Sequence, residues 1–357
     1  MRFATPRTAR SIAALICLFA CGDDGARSDA PFPERDDLVV PDLPRPVTNN
    51  AVASVIVNGR AVAISALGVD STKRWEGLTR AALRWDAGDT AWRAIAPAPG
   101  PPRIAATAQG VRGRIYVFGG YTVAEDGAER SVPDVAIYDP AGDAWREGAP
   151  IPIPVDDAVS GVWRDSLVYL VSGWHDDDNE TAVQIYDPAR DEWSAATPIP
   201  GPPVFGHTGG VVGDAIVYVD GTRIDLDPRT FRLERSSWLG AIDPSDPDRI
   251  EWSRLPDHPG PAIYRGAALG FDGRVFFAGG SDNTYNYDGI GYDGAPAEPA
   301  GVAFAWDVSA AAWTTLPGGS PPTMDHRGLI ELGGRLYTIG GMTRGQRVTA
   351  RVIPLSP

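Results

Sequence analysis

Four short polar runs recur along this 357-residue chain: Asp156-Asp157, Phe205-Gly206-His207, Tyr264-Arg265 and Asp325-His326-Arg327. Carboxylate, imidazole, phenol and guanidinium together could grip a polar ligand such as a sugar or a carboxylate, and could move protons on it. Asp157, His207, Tyr264, Arg265, Asp325 and His326 are therefore the candidate ligand-binding residues. The same groups could instead close hydrogen bonds between neighbouring structural units, and that use stands ahead of binding.

Other chemistry is thinner. There is no Gly-x-Ser-x-Gly elbow, no His-Glu-x-x-His and no phosphate-binding loop. The acidic run His175-Asp176-Asp177-Asp178-Asn179-Glu180 is rich in oxygen ligands. It lacks the spacing and the turn glycine of a calcium loop, so a solvated acidic loop is expected. Tyr285, Tyr287 and Tyr292 could form an aromatic platform for a sugar, or simply an exposed loop. No metal or other cofactor is implied.

What positions the polar runs is a repeat. The stretch Gly113-Arg114-Ile115-Tyr116-Val117-Phe118-Gly119-Gly120 reads as a strand ending in a Gly pair. A second strand follows, ending at Ile137-Tyr138-Asp139-Pro140, and a third is marked by Trp145. The Gly landmark recurs at Gly68, Gly120, Gly173, Gly221, Gly280 and Gly341, and the Trp landmark at Trp92, Trp145, Trp193, Trp252 and Trp313. Every Trp precedes the next Gly by 28 residues, whereas the interval from Gly to Trp runs from 20 to 33. Each repeat thus has one rigid half and one half that accepts insertions.

A strand ending in Gly-Gly, a Tyr-Asp turn, and a Trp six residues beyond that Asp together resemble the kelch repeat. The Asp–Trp pairs are Asp86 and Trp92, Asp139 and Trp145, Asp187 and Trp193, Asp246 and Trp252, and Asp307 and Trp313. The resemblance covers about residues 38–355. Leu67-Gly68, Ser172-Gly173 and Asp220-Gly221 depart from the Gly pair, and the fourth repeat lacks Tyr before its Asp. The implied fold is all-β, a six-bladed kelch-type propeller of four-stranded blades. The last repeat ends without an Asp–Trp turn, so its fourth strand is expected from the N-terminal end. Counting 28 back from Gly68 gives Val40 in the Trp place. Closing the ring this way hides two sheet edges.

In such blades the links between blades and the second-to-third-strand loops share one face. Those loops are the variable ones here, at about 121–134, 174–181, 222–241, 281–301 and 342–347, so this is the expected working face. The polar runs begin the innermost strands and should ring the mouth of the central channel on that face.

The first 37 residues lie outside the repeats. Arg2, Arg7 and Arg10 precede a short apolar run that ends in Leu18-Phe19-Ala20-Cys21, which resembles a bacterial lipobox. The expected division is a signal peptide over 1–20, lipidation at Cys21, a polar tether over 21–37 and the propeller over 38–355. The expected site is the bacterial cell envelope, on the periplasmic or cell-surface side of the outer membrane, with the lipid as the only membrane contact. Cys17 and Cys21 are the two cysteines, so the propeller has no thiol. A kelch copper-radical oxidase, which needs a Tyr–Cys cross-link, is thereby excluded.

The formal charge is −14, and it becomes −17 once the three arginines of residues 1–20 are gone. That balance argues against nucleic acid as a partner. The expectation is a binding or scaffold module, not an enzyme, that takes a protein or carbohydrate partner on its looped face. The alternative is a sugar-active enzyme similar to the kelch sialic-acid mutarotases and epimerases.

Overall fold

The computed structural model describes residues 38–355. Five four-stranded antiparallel sheets and one three-stranded sheet follow one another along the chain. Their first strands, Ala51–Val57, Thr107–Val111, Val159–Trp163, Thr208–Val212, Ala267–Phe271 and Ile330–Leu332, pack side by side in that order, and the last meets the first. The result is a closed ring of six blades, as expected. Second strands such as Arg114–Phe118 and Leu167–Val171 are buried over nearly their whole length, because blades cover both of their faces.

The repeat landmarks prove to be fasteners. Trp145, Trp193, Trp252 and Trp313 each donate Nε1–H to a carbonyl of the preceding blade, at Ala96, Ala149, Thr197 and Pro256, over 2.8–3.2 Å. Each acceptor lies four residues beyond the preceding blade's own Trp. The Asp of the Tyr-Asp turn accepts backbone N–H groups one or two residues past its Pro or Val, as at Asp139 with Ala141 and Gly142. Blade 4 differs: its hairpin is longer, and the turn acid is Asp243, not Asp246. The second landmark glycine must be glycine for space. At Gly120, with φ +93°, a Cβ would lie 2.4 Å from the Ile104 carbonyl.

Where a polar residue replaces the first glycine of the pair, its side chain bonds to the link that follows. Ser172 donates to Glu180 and Val204 carbonyls. Asp220 accepts from His258 Nε2 at 2.7 Å and from the Ile263 amide at 2.7 Å.

The N-terminal segment closes the last blade. Leu43 N–H donates to the Ala350 carbonyl at 2.8 Å, the Val352 amide donates to Asp42 at 2.8 Å, and Leu38, Val40 and Leu43 pack into the core shared by blades 6 and 1. Trp92 Nε1 donates to the Pro41 carbonyl at 2.7 Å, the same fastener that blades 2 to 5 use. That bond fixes the register three residues before the Val40 count. The reason is local: the strands Ala51–Val57 and Arg60–Ala66 have seven residues each, where Thr107–Val111 and Arg114–Phe118 have five. Leu18 to Cys21, and the tether over 21–37, lie outside the described residues.

Candidate active site in the central channel

Just before each first strand one residue takes a left-handed backbone: Asn49, Ala105, Asp157, Gly206, Arg265 and Asp325, with φ between +50° and +66°. Five of the six are not glycine, and such conformations cost of order 1 kcal/mol each. The turn is held by neighbours. Asp157 N–H donates to Ala105 O, Gly206 to Asp157 O, Arg265 to Gly206 O, His326 to Arg265 O and Asn49 to Asp325 O, over 2.8–3.3 Å. Ala105 N–H completes the circle by donating to Asn49 Oδ1 at 2.7 Å. This collar encircles the channel and directs charged side chains inward.

Four charges meet there. Arg265 Nη2 lies 2.6 Å from Asp157 Oδ2 and Arg265 Nη1 lies 3.6 Å from Asp325 Oδ1. Arg327 Nη2 lies 2.9 Å from Asp157 Oδ1 and 3.4 Å from Asp325 Oδ1. Thr48 and Asn49 also donate to Asp325, at 2.6 and 3.1 Å. Asp157, Arg265 and Asp325 are at most 2% exposed. Burial opposes the charge on Arg265, but Asp157 above all its other neighbours holds its pKa well above the usual guanidinium value. Tyr264 and Tyr285 present their rings to the Arg265 guanidinium at 4.9 and 5.3 Å.

The neighbouring acid behaves oppositely. Asp156 is buried, accepts from Ser131 Oγ at 2.6 Å, and has a pKa well above the carboxylate range, first through burial and then through Asp157. Burial also raises Glu129. Burial lowers His207 to about 4 and His326 to about 3, so both imidazoles are neutral at pH 7. His207 Nε2 meets the Val171 carbonyl at 2.9 Å.

Several of these groups keep unused hydrogen-bonding capacity. Arg265 Nε and Nη1, Arg327 Nε, His207 Nδ1, His326 Nε2 and the hydroxyls of Tyr264 and Tyr285 are buried with no hydrogen-bond partner. The protein leaves this capacity open to a polar ligand or to water. A polar cavity of about 30 Å³ lies among Arg265, Arg327, His207, His326, Ser160 and Gln109, room for about two water molecules. Toward the looped face it is closed by Tyr264, Tyr285, Met324 and Met342, which have no exposed surface. Toward the short-turn face Gln109, Ala158, Gly209 and Gly328 are half-buried.

The structure thus brings all six sequence candidates to the channel. Asp157, Arg265 and Asp325 are joined directly, and Tyr264 stacks on the same guanidinium. His207 and His326 flank the cavity. Sequence reasoning left Arg327 out of the set, although it sits in the run Asp325-His326-Arg327. It also missed Asn49, because the longer first hairpin puts that residue outside the usual count back from Gly68. Asp156, adjacent to a chosen residue, was passed over. The three tyrosines do not form one platform: Tyr285 is buried over Arg265, Tyr287 packs beside Tyr121, and Tyr292 stacks on Phe231 with centroids 3.9 Å apart. Among the described residues no group of three or more His, Cys, Asp or Glu could hold a metal ion.

Comparison with known proteins adds three findings. The Kelch motif family matches residues 102–152. N-acetylneuraminate epimerases of Escherichia coli strain K12 and Shigella flexneri are 34% identical over 82 residues, 22% of this chain and 22% of theirs. The chain thus matches about a fifth of the length of these curated relatives. Among solved structures, one described as "Structure of YjhT" superposes with a TM-score of 0.68 at 19% identity, covering 89% of this chain and 97% of that one. It supports the fold. The expectation of a non-enzyme is corrected here: the curated proteins that the chain matches are enzymes by name. The reason for the error is physical. Polar residues at blade starts also serve as latches, and their unused valences cannot be read from spacing.

Proposed function

The chain is a kelch-repeat propeller, and we propose that it is a sugar-active enzyme that interconverts the ring forms of an acidic sugar of the N-acetylneuraminate type. The observation that carries this reading is the set of unpartnered donors and acceptors buried around Arg265. The partial match to N-acetylneuraminate epimerases supports it.

The chemistry needs few parts. A base takes the proton of the anomeric hydroxyl while an acid protonates the ring oxygen. The ring C–O bond breaks, the anomeric carbon becomes a carbonyl, and the ring recloses on either face. The protons return by the same groups, so nothing is consumed. Two carboxyl groups in contrasting environments suit the two roles. Asp156, next to Asp157 in the chain and held by Ser131 in a buried setting that favours its protonated form, is assigned as the acid. Asp157, against two guanidiniums, is the base. The free N–H groups of Arg265 and Arg327 bind the sugar's carboxylate.

Asp156→Asn keeps the shape and the Ser131 contact but cannot supply the acid proton. It should bind N-acetylneuraminate with little change in affinity and catalyse anomer exchange at least about 100-fold more slowly. Equal rates for variant and wild type, measured by NMR exchange, would remove Asp156 from the mechanism. We further propose that the enzyme is held in the envelope by lipid on Cys21, on the strength of Leu18-Phe19-Ala20-Cys21 alone.

A further inference from the structure

The second-to-third-strand loop of blade 5, residues 281–301, does not stay over its own blade. Tyr287 packs into the cluster of Val69 and Tyr121, from blades 1 and 2. The Asp288 carbonyl accepts from Lys73 Nζ of blade 1 at 2.5 Å. Tyr292 stacks on Phe231 of blade 4. Gln346 of blade 6 donates to the Ala297 carbonyl at 2.7 Å and to Glu298 at 2.8 Å. The loop therefore lies across the channel mouth and rests on four other blades.

Its inner side is Tyr285, whose ring meets Tyr264 edge-on at 5.1 Å and whose hydroxyl has no partner. Its holds on the other blades are the packing of Tyr285, Ala297, Tyr287 and Tyr292 and a few hydrogen bonds. Among the described residues, the hydrogen bonds from 283–298 to other blades all run through side chains, while its backbone bonds are internal, such as Asn286 to Ile290 and Gly291 to Ala295. A segment whose backbone bonds to no backbone but its own, and which joins the other blades through side chains alone, can move as a body. The cavity beneath is far too small for a pyranose.

We infer that residues 283–298 form a lid that swings off the channel mouth to admit the sugar, and that Tyr285 contacts the sugar when the lid closes. The ligand half of this inference rests on the proposed function; the motion does not. Opening exposes Met324, which lies under the lid with no accessible surface, and leaves the blades intact.

The test uses the full chain with Cys17→Ser and Cys21→Ser, so that one added thiol is unique. Met324→Cys reports on the chamber and Val217→Cys, buried within blade 4, reports on global unfolding. The lid predicts that a thiol reagent labels position 324 at least about tenfold faster than position 217. It also predicts that adding Lys73→Met and Gln346→Ala speeds labelling at 324 again, with no change at 217. Equal labelling at both positions, unaltered by those two substitutions, overturns the lid. Tyr285→Phe should leave labelling and melting unchanged and weaken N-acetylneuraminate binding about tenfold, the worth of one hydrogen bond. Unchanged affinity overturns the role of Tyr285. If the wild-type protein does not bind N-acetylneuraminate, the proposed function and the Tyr285 contact fall, and the thiol rates still decide the lid.

Discussion

His207 shows how far one buried side chain can govern behaviour. Burial holds it neutral, with a pKa of about 4 against about 6.5 in an unfolded chain. As pH falls below 6.5 the unfolded state takes the proton first. The stability tied to the neutral imidazole is therefore complete above pH 6.5 and is lost as pH drops through 4. The shift corresponds to about 3 kcal/mol. His207→Gln keeps a donor for the Val171 carbonyl and cannot titrate. Denaturant unfolding at pH 7.5 and pH 4 should show the wild type losing about 3 kcal/mol relative to the variant. Parallel losses would mean that His207 is not held neutral. The raised carboxyl of Asp156 pulls the other way with pH, but both proteins carry it, so it cancels in the comparison. At this scale the sequence was only partly legible. Residue type and position marked Asp157, Arg265 and Asp325, yet nothing in spacing distinguishes a satisfied latch from a guanidinium with free N–H groups.

The blades were far more legible, because the landmarks are themselves the fasteners. Trp at a fixed interval before Gly works as a period since each Trp reaches back to a carbonyl of the preceding blade. The register of closure was misread by three residues, since the first hairpin is longer than the rest and no local signal in Ala51 to Ala66 announces it. The closing segment is a ring-wide element. Leu43 is 4% exposed, and Leu43→Ala should cost about 2–4 kcal/mol. Deleting residues 22–44 should abolish cooperative unfolding or cause aggregation, because it bares the edge of Val352–Leu355. Deleting only 22–35 should leave the melting transition in place. Equal melting curves for the two truncations would show that the N-terminal segment is dispensable for closure.

For the whole molecule, a ring of blades carries its elaborated loops on one face, and the loop of blade 5 lies over the charged channel. The ring was readable from sequence, and the choice between a binder and an enzyme was not. A propeller presents the same collar whether or not a ligand enters it, so the collar residues alone did not separate a binder from an enzyme, and the epimerase match supports the alternative. The N-terminal proposal stands apart from the ring and has its own check: Cys21→Ser should move the protein from the detergent phase to the aqueous phase. A wild-type protein already in the aqueous phase would end that proposal. The central claim is catalysis on an acidic sugar ring, and it is tested most directly by NMR exchange between the anomers of N-acetylneuraminate at neutral pH with and without the wild-type protein. The account predicts exchange at least about 100-fold above the uncatalysed rate at micromolar protein, abolished by Arg265→Met. Exchange at the uncatalysed rate with folded protein present would contradict it.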